Sequence, residues 1–363
     1  YYDKVNNRNI IFVGTNDGFL HCFLDNDNGT SDSLTDDSVQ ESWAFVPWDL
    51  LPNLQYLPPA GYTAEIAGNS THEYFVDGSP VVYKSGSSTY LAFGLRRGGL
   101  NITSGGELTN QYFILNIDNY QSPSFTASIS KSILGTSSEQ LGQSWSTPYF
   151  STIKTGASTS SKQDVLILTG GYDTNQDNDD PGTADTKGRA VFAVNATTGA
   201  LMSNLNFNYN NYSKMRYSMV DLRAYDDNDD GCTDVIYAPS VGGDLFVFDD
   251  RSTATGTPYD GVWTKRLLFS AANRGSTAKL RKFFYAPGIA QETWGDWVYI
   301  ASGDREHPTD ATGEETTPAY NRFYALRYTW PATWSDEDDA LTDSDLTDVS
   351  TDTLQGTTST PST

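Results

Sequence analysis

Nine consecutive residues, Asp226 to Asp234, read DDNDDGCTD and place hard oxygen donors at alternate positions. Asp226, Asn228 and Asp230 occupy the first, third and fifth places, Gly231 the sixth and Asp234 the ninth. Calcium takes roughly six to eight oxygens at about 2.3–2.6 Å, and acidic side chains at alternate positions can point inward together. Glycine at the sixth place permits the sharp turn, and the backbone carbonyl of Cys232 at the seventh can supply a further oxygen. The spacing matches the first nine positions of an EF-hand loop. It lacks the bidentate Glu at the twelfth, where Tyr237 stands. No amphipathic helix follows, because VIYAPSVGGDLFVFDD reads as two strands. The expectation is a Ca²⁺ loop set between β-strands, with Asp226, Asn228, Asp230, Cys232 and Asp234 as ligands.

Other polar constellations are weaker. The loop Gly170 to Gly188 carries Asp173, Asn175, Asp177 and Asp179 at alternate positions, but Pro181 holds the ninth place and no glycine the sixth. It reads as a solvated insertion. Asp25, Asp27 and Asn28 before Gly29 read as a turn. His21, His72 and His307 share no motif spacing, which disfavours zinc or a nucleophile–base pair. No GxSxG elbow is present. The Gly303–Glu306 run, GDRE, reads as a salt-bridged corner. The tryptophans are expected in core or inter-blade packing. Cys22 and Cys232 fit no CxxC pattern and read as isolated thiols, Cys22 pointing inward from a strand; a disulfide between them, should blades bring them together, is the alternative.

The elements that must position these residues are strands. The chain has 363 residues, 37% hydrophobic and 13% aromatic, with 31 Gly, 22 Tyr and 17 Phe. That is enough for a large core, and no window shows long helical periodicity. NIIFVGTNDGFLHCF has strands at Ile10–Val13 and Phe19–Phe23 around Asn16-Asp17-Gly18, a strong hairpin signal. The same unit returns in TYLAFGLRRGG with QYFILNID, in DVLILTGGYD with GRAVFAVN, in DVIYAPSVGGDLFVFDD, and in WVYIASGDREHP with NRFYALRY. Repetition of a hairpin-sized unit at irregular spacing predicts a β-propeller with long loop insertions over residues 1–334, an all-β fold; a stacked sandwich is the alternative.

Net charge is −23. Residues 335–363 contribute eight acidic residues and no basic one, and read as an acidic Ser/Thr/Asp-rich linker or extended arm. Nucleic acid, which needs a basic face, is excluded as a partner, and anionic membrane surfaces are disfavoured. No apolar run of about 20 residues is present, so no membrane insertion is expected. The opening YYDKVNNRN has neither Met nor an apolar leader and reads as an internal boundary.

In order along the chain, VGTNDGFLHCF, AFVPWDLLPNLQYL, HEYFVDGSPVV, LGQSWSTPYF, the calcium loop with DVIYAPSVGGDLFVFD, and SGDREHP with NRFYALRY resemble the C-terminal propeller of PilY-type proteins, the type IV pilus assembly and tip-adhesin family. The resemblance runs from about Ile10 to Tyr328. It implies a modified β-propeller with a calcium site in an inter-strand loop, its occupancy linked to pilus extension and retraction. It carries the ligand set onto Asp226, Asn228, Asp230 and Asp234, with Cys232 by its carbonyl. The family's frequent Asp-Gly-Asp-Gly run is here Asn228-Asp229-Asp230-Gly231, which bears on affinity. By the same resemblance the protein is non-catalytic and extracellular, exported through the periplasm and outer membrane to the pilus tip. Such proteins contact minor pilins and meet a host or abiotic surface through a variable N-terminal region, so the resemblance makes minor pilins and such a surface the expected partners. Two other classes stay open on the residues alone: a quinoprotein-like dehydrogenase, since the hairpin motif overlaps, and a lectin-like surface-binding module.

Overall fold

The computed structural model describes residues 1–26, 38–57, 73–135, 140–158, 160–177, 183–251, 257–271, 280–292, 295–306, 321–329 and 340–349. Among these, five sheets follow one another along the chain. The first holds β1 (Tyr2–Asp3), β2 (Arg8–Gly14), β3 (Leu20–Asn26) and β4 (Ser38–Phe45); the second β5 (Val81–Ser85), β6 (Ser88–Gly94), β7 (Asn110–Asn116) and β8 (Ser124–Ser130). The third holds β9 (Tyr149–Lys154), β10 (Lys162–Thr169), β11 (Ala190–Asn195) and β12 (Leu201–Asn208); the fourth β13 (Arg223–Tyr225), β14 (Val235–Pro239), β15 (Asp244–Asp249) and β16 (Thr264–Ser270). The fifth holds β17 (Gly288–Glu292), β18 (Gly295–Ala301) and β19 (Phe323–Tyr328). Each is an antiparallel meander. In every one the middle pair is a hairpin legible in the sequence: β2–β3, β6–β7, β10–β11, β14–β15 and β18–β19.

Period-two geometry sends alternate side chains of one strand to opposite faces. In β10, Val165 and Ile167 pack with Ile236 and Phe246 of the fourth sheet. Leu166 and Leu168 pack with Ala92 and Ile114 of the second. Leu20 joins Leu91 and Phe113 between the first and second sheets, and Tyr237 and Val247 join Val298 and Leu326 between the fourth and fifth. The inner strands of the middle sheets are therefore covered on both faces, which is why they read as apolar runs such as LILT and LFVF rather than as alternations. In the last sheet, β19 alternates between exposed and buried positions.

A second repeat lies outside the strands. The segment leading into each of the second to fifth sheets pairs with the loop after that sheet's second strand and with the equivalent loop of the preceding sheet. Val76 N–H donates to Thr15 O and Asp77 N–H to Leu95 O. Arg96 bridges Ser144, and Gln143 bridges Tyr172. Met219 bridges both Gly171 and Ser240. Phe283 N–H donates to Ser240 O, and Gly303 N–H to Lys282 O. Five loops thus converge on one axis, and the five sheets form a modified β-propeller. The close approach needs glycine: a Cβ on Gly98 would lie 1.6 Å from Phe75 O, and one on Gly242 would lie 1.9 Å from the Tyr217 ring.

Of the acidic C-terminal stretch, residues 340–349 are described. Leu341–Thr342, here β20, adds to the fourth sheet parallel to β16. Asp343 then pairs with Arg281 and, at 3.2 Å, with Arg322. No helix among the described residues is long and apolar enough to cross a membrane.

Candidate metal centre

The Asp226–Asp234 loop joins β13 to β14 at the edge of the fourth sheet. Its backbone is folded by its own side chains. The Asp226 carboxylate accepts hydrogen bonds from the N–H groups of Asn228 (3.2 Å), Asp230 (3.2 Å) and Gly231 (2.7 Å). Asn228 Oδ1 accepts from Asp230 N–H, and Asp230 Oδ1 from Cys232 N–H. These are successive Asx turns, the local geometry that short acidic side chains impose. Asp229 and Gly231 take positive φ, +60° and +83°. Glycine at 231 adopts that conformation without strain.

The loop is anchored to the third sheet. Thr233 N–H donates to Thr152 O at 2.8 Å, and the Thr233 and Ser151 hydroxyls lie 2.6 Å apart. Lys154 Nζ sits 2.5 Å from Asp230 Oδ2, and Lys162 Nζ donates to Asp230 O at 2.7 Å. Two ammonium groups from the β9–β10 hairpin therefore already face the loop's oxygens.

Asp234 is the loop's fully buried carboxylate. Its Oδ2 accepts from Asp227 N–H, closing the loop, and its Oδ1 is buried with no hydrogen-bond donor. Burial first, then the charges of Asp226, Asp230 and Asp250, push this carboxyl up to about 7. A buried carboxylate oxygen without a donor is costly unless a cation or proton meets it. Calcium, a hard cation that favours carboxylate and carbonyl oxygens, suits this donor set. Asp226, Asn228, Asp230 and Asp234 would hold it by side chains and Cys232 by its carbonyl. The five residues share one loop, but among the described residues no group of three or more His, Cys, Asp or Glu side chains is drawn together as a metal cluster.

Behind the loop lies a network that sequence reading did not find. Arg251, almost wholly buried, contacts Asp249 (3.0 Å), Asp296 of the fifth sheet (3.1 Å) and Asp227 inside the loop (3.0 Å). Tyr225 and Tyr237 both donate to Asp296, and Tyr259 donates to Asp227. Burial alone would lower the Arg251 guanidinium. The neighbouring Asp249 carboxylate outweighs it, with Tyr225 and Asp296 adding, so the group is held above its usual range. Asp250 accepts from Gly261 N–H, and burial holds its carboxyl at about 6. No local signal marks these partners, because Arg251 and Asp296 lie 45 residues apart.

The remaining polar candidates resolve as scaffold. Asp173 accepts from the N–H groups of Asn175, Thr186 and Lys187, and Asp177 from the Tyr172 hydroxyl. Asp179 and Pro181 lie outside the described residues, as do Asp27, Asn28, Gly29, His72 and His307. His21 sits between Glu41 (2.7 Å) and Asp17 (2.9 Å). In the GDRE run, Asp304 pairs with Lys282 at 2.6 Å and Glu306 with Arg97 of the second sheet, a corner held by ion pairs. Trp145 and Trp263 are buried, while Trp48 stands on Phe113 and Phe125. Cys22 and Cys232 are both buried and unbonded to each other.

No protein-family model matches the chain. It is 26% identical over 286 residues to the type IV pilus biogenesis factor PilY1 homolog of Xylella fastidiosa (strain Temecula1), covering 72% of this chain and 16% of that protein. It is 26% identical over 249 residues to PilY1 of Pseudomonas aeruginosa (strain PAO1), covering 66% of this chain and 17% of that protein. The chain is thus similar to PilY-type proteins. The crystal structure of the P. aeruginosa PilY1 C-terminal domain has the same fold, with a TM-score of 0.57 at 20% identity over 89% of this chain and 58% of that one. The chain spans less than a fifth of the length of these curated relatives.

Proposed function

We propose that this propeller is the calcium-binding module of a type IV pilus biogenesis factor, non-catalytic, displayed at the pilus tip, where it contacts minor pilins and meets a host or abiotic surface. The relatives named PilY1 support the pilus assignment. The observation that carries the calcium reading is Asp234: a carboxylate buried in an acidic loop, one oxygen without a donor, in register with Asp226, Asn228 and Asp230. A divalent ion there would neutralise three mutually repelling carboxylates and stiffen the edge where the third and fourth sheets meet. Bound metal stabilises the folded state by RT ln(1 + [L]/Kd), about 2.7 kcal/mol at a hundredfold excess over Kd.

The test combines metal analysis of the purified chain, with and without chelator, and calcium-dependent melting of wild type and Asp230→Ala. One equivalent of calcium and a melting shift lost in Asp230→Ala are expected. A shift that survives the substitution rules out this ligand set.

A further inference from the structure

The propeller's axial face holds a cluster that the pilus and calcium readings leave unused. Arg96 and Arg97 follow β6, Arg305 follows β18, and Trp145 leads into β9. Three sheets therefore supply one cluster. The guanidinium carbons of Arg96, Arg97 and Arg305 lie 4.3, 5.7 and 5.7 Å from the centre of the Trp145 ring. Arg305 also lies 5.6 Å from Tyr285, a ring 60% exposed. Beneath them Trp145 stacks on Tyr172 and packs against Val220, Val241 and Phe284.

Gathering three like charges on one indole needs a reason in a chain of net charge −23 with only 23 Lys and Arg residues. Cation–π attraction and carboxylate partners explain two of them. Arg96 lies 3.5 Å from Asp77, and Arg97 pairs with Glu306 and approaches Asp177 at 3.9 Å. Lys282 is taken by Asp304 and by Gln176 O. Arg305 is exposed and rests on aromatic rings, and among the described residues no carboxylate lies within ion-pair reach of it. Arg96 is held at a left-handed backbone angle, φ +51°, a strained conformation for a non-glycine residue that points to a functional constraint. Burial and the nearby Arg305 and Arg97 charges push its guanidinium down, against the pull of Asp77.

We propose that this axial face binds a ligand carboxylate, with Arg305 as the receiving fork and Trp145 and Tyr285 as its aromatic platform. A guanidinium presents parallel N–H donors that match a carboxylate bidentately, and stacking fixes the plane of that fork before the ligand arrives. A monoanion fits better than a phosphate. Asp304 and Glu306 flank Arg305 in the chain, and the cluster's other cations are already matched by carboxylates, so a dianion would meet repulsion. The carboxylate can come from acidic side chains of a peptide or from a chain terminus.

Isothermal titration of the whole chain in calcium-containing buffer tests this with four probes: an acetylated glutamine hexapeptide amide with a single glutamate in the middle, acetyl-hexaglutamine with a free terminal carboxylate, acetyl-hexaglutamine amide, and inorganic phosphate. Binding by one or both carboxylate probes, weakened roughly tenfold to a hundredfold in Arg305→Gln, is expected from losing a charged hydrogen-bond pair. Which of the two binds assigns the source of the carboxylate. Tyr285→Ala, also at an exposed position, should weaken binding as well, and unchanged melting temperatures show that both variants fold. Equal binding by hexaglutamine amide, tighter binding by phosphate, no binding by either carboxylate probe, or affinity unchanged in Arg305→Gln would each overturn the proposal.

Discussion

Replacing Arg251 by Met should be the most damaging single change at the seam between the fourth and fifth sheets. The side chain is 1% exposed and faces Asp249 and Asp296, themselves 1% and 3% exposed. Methionine fills much of the volume, so the cavity term is small. What remains is two buried carboxylates without their cation. Removing one partner of a buried pair costs about 3–5 kcal/mol. Hydroxyl donors soften the loss: Tyr328 reaches Asp249 at 3.1 Å, and Tyr225 and Tyr237 reach Asp296 at 2.5 and 2.7 Å. A net loss of about 4 kcal/mol is a large share of the roughly 5–15 kcal/mol typical of a folded domain. At about 2–4 °C per kcal/mol for a large domain, the melting temperature should fall by about 8–16 °C. Scanning calorimetry reads this directly. Adding Asp249→Asn and Asp296→Asn to the variant should recover part of the loss, because neutral amides are cheaper to bury than carboxylates. A fall below about 1 kcal/mol, or no recovery in the triple variant, would refute the view that Arg251 holds the seam by charge.

Further outcomes can be checked alongside. Asp234→Asn should abolish calcium-dependent stabilisation yet raise the melting temperature in EDTA at pH 8, where the wild-type carboxyl, held up near 7, is ionised in a buried site. Loss of stability in EDTA would count against an unrelieved charge there. Burial alone would lower the His21 imidazolium, but hydrogen bonds to Glu41 and Asp17 outweigh it and leave it raised above 6.5. Its contribution is therefore complete below the unfolded value and fades as pH climbs through the folded one. The stability gap between wild type and His21→Gln in urea titrations should narrow from pH 6 to pH 9, and a widening gap would reverse the sign. Gly98→Ala puts a Cβ 1.6 Å from Phe75 O and should lower the urea midpoint by the equivalent of about 1–3 kcal/mol; an unchanged midpoint would show that the axial loop relaxes freely.

The hairpins were legible because their signal is local. Alternating or continuous apolar residues around a glycine turn fix each middle pair regardless of what lies beyond, as with LTGG between β10 and β11 or SVGG between β14 and β15. Outer strands such as β12 and β17 carry more polar sequences, and their place depends on the neighbour they cover. The ring of bridges through Arg96, Gln143, Met219 and Ser240 was invisible, because it joins backbone groups whose partners lie tens of residues away. The Asp226–Asp234 loop shows the same division. Its donor register is a local pattern of short acidic residues and one glycine. Lys154, Lys162 and Arg251, which set the charge around it, come from other hairpins and follow only from the fold.

Asp227 links the two charge systems. It is not among the expected calcium ligands, yet it lies between two of them, Asp226 and Asn228. Its N–H donates to Asp234 Oδ2, and its carboxylate is bound by Arg251 and Tyr259. An ion held by Asp226, Asn228, Asp230 and Asp234 would fix the backbone on both sides of Asp227. It would thereby fix the position of that carboxylate relative to Arg251, and through Arg251 relative to Asp296 of the fifth sheet. Loop order and the seam between the fourth and fifth sheets would then be coupled, and coupling of this kind is reciprocal. Calcium should protect amides of β18 as well as those of the loop from hydrogen exchange, and Arg251→Met should weaken calcium binding although it removes no ligand. Calcium protection confined to residues 226–234, or calcium affinity unchanged in Arg251→Met, would show that the loop and the seam are independent.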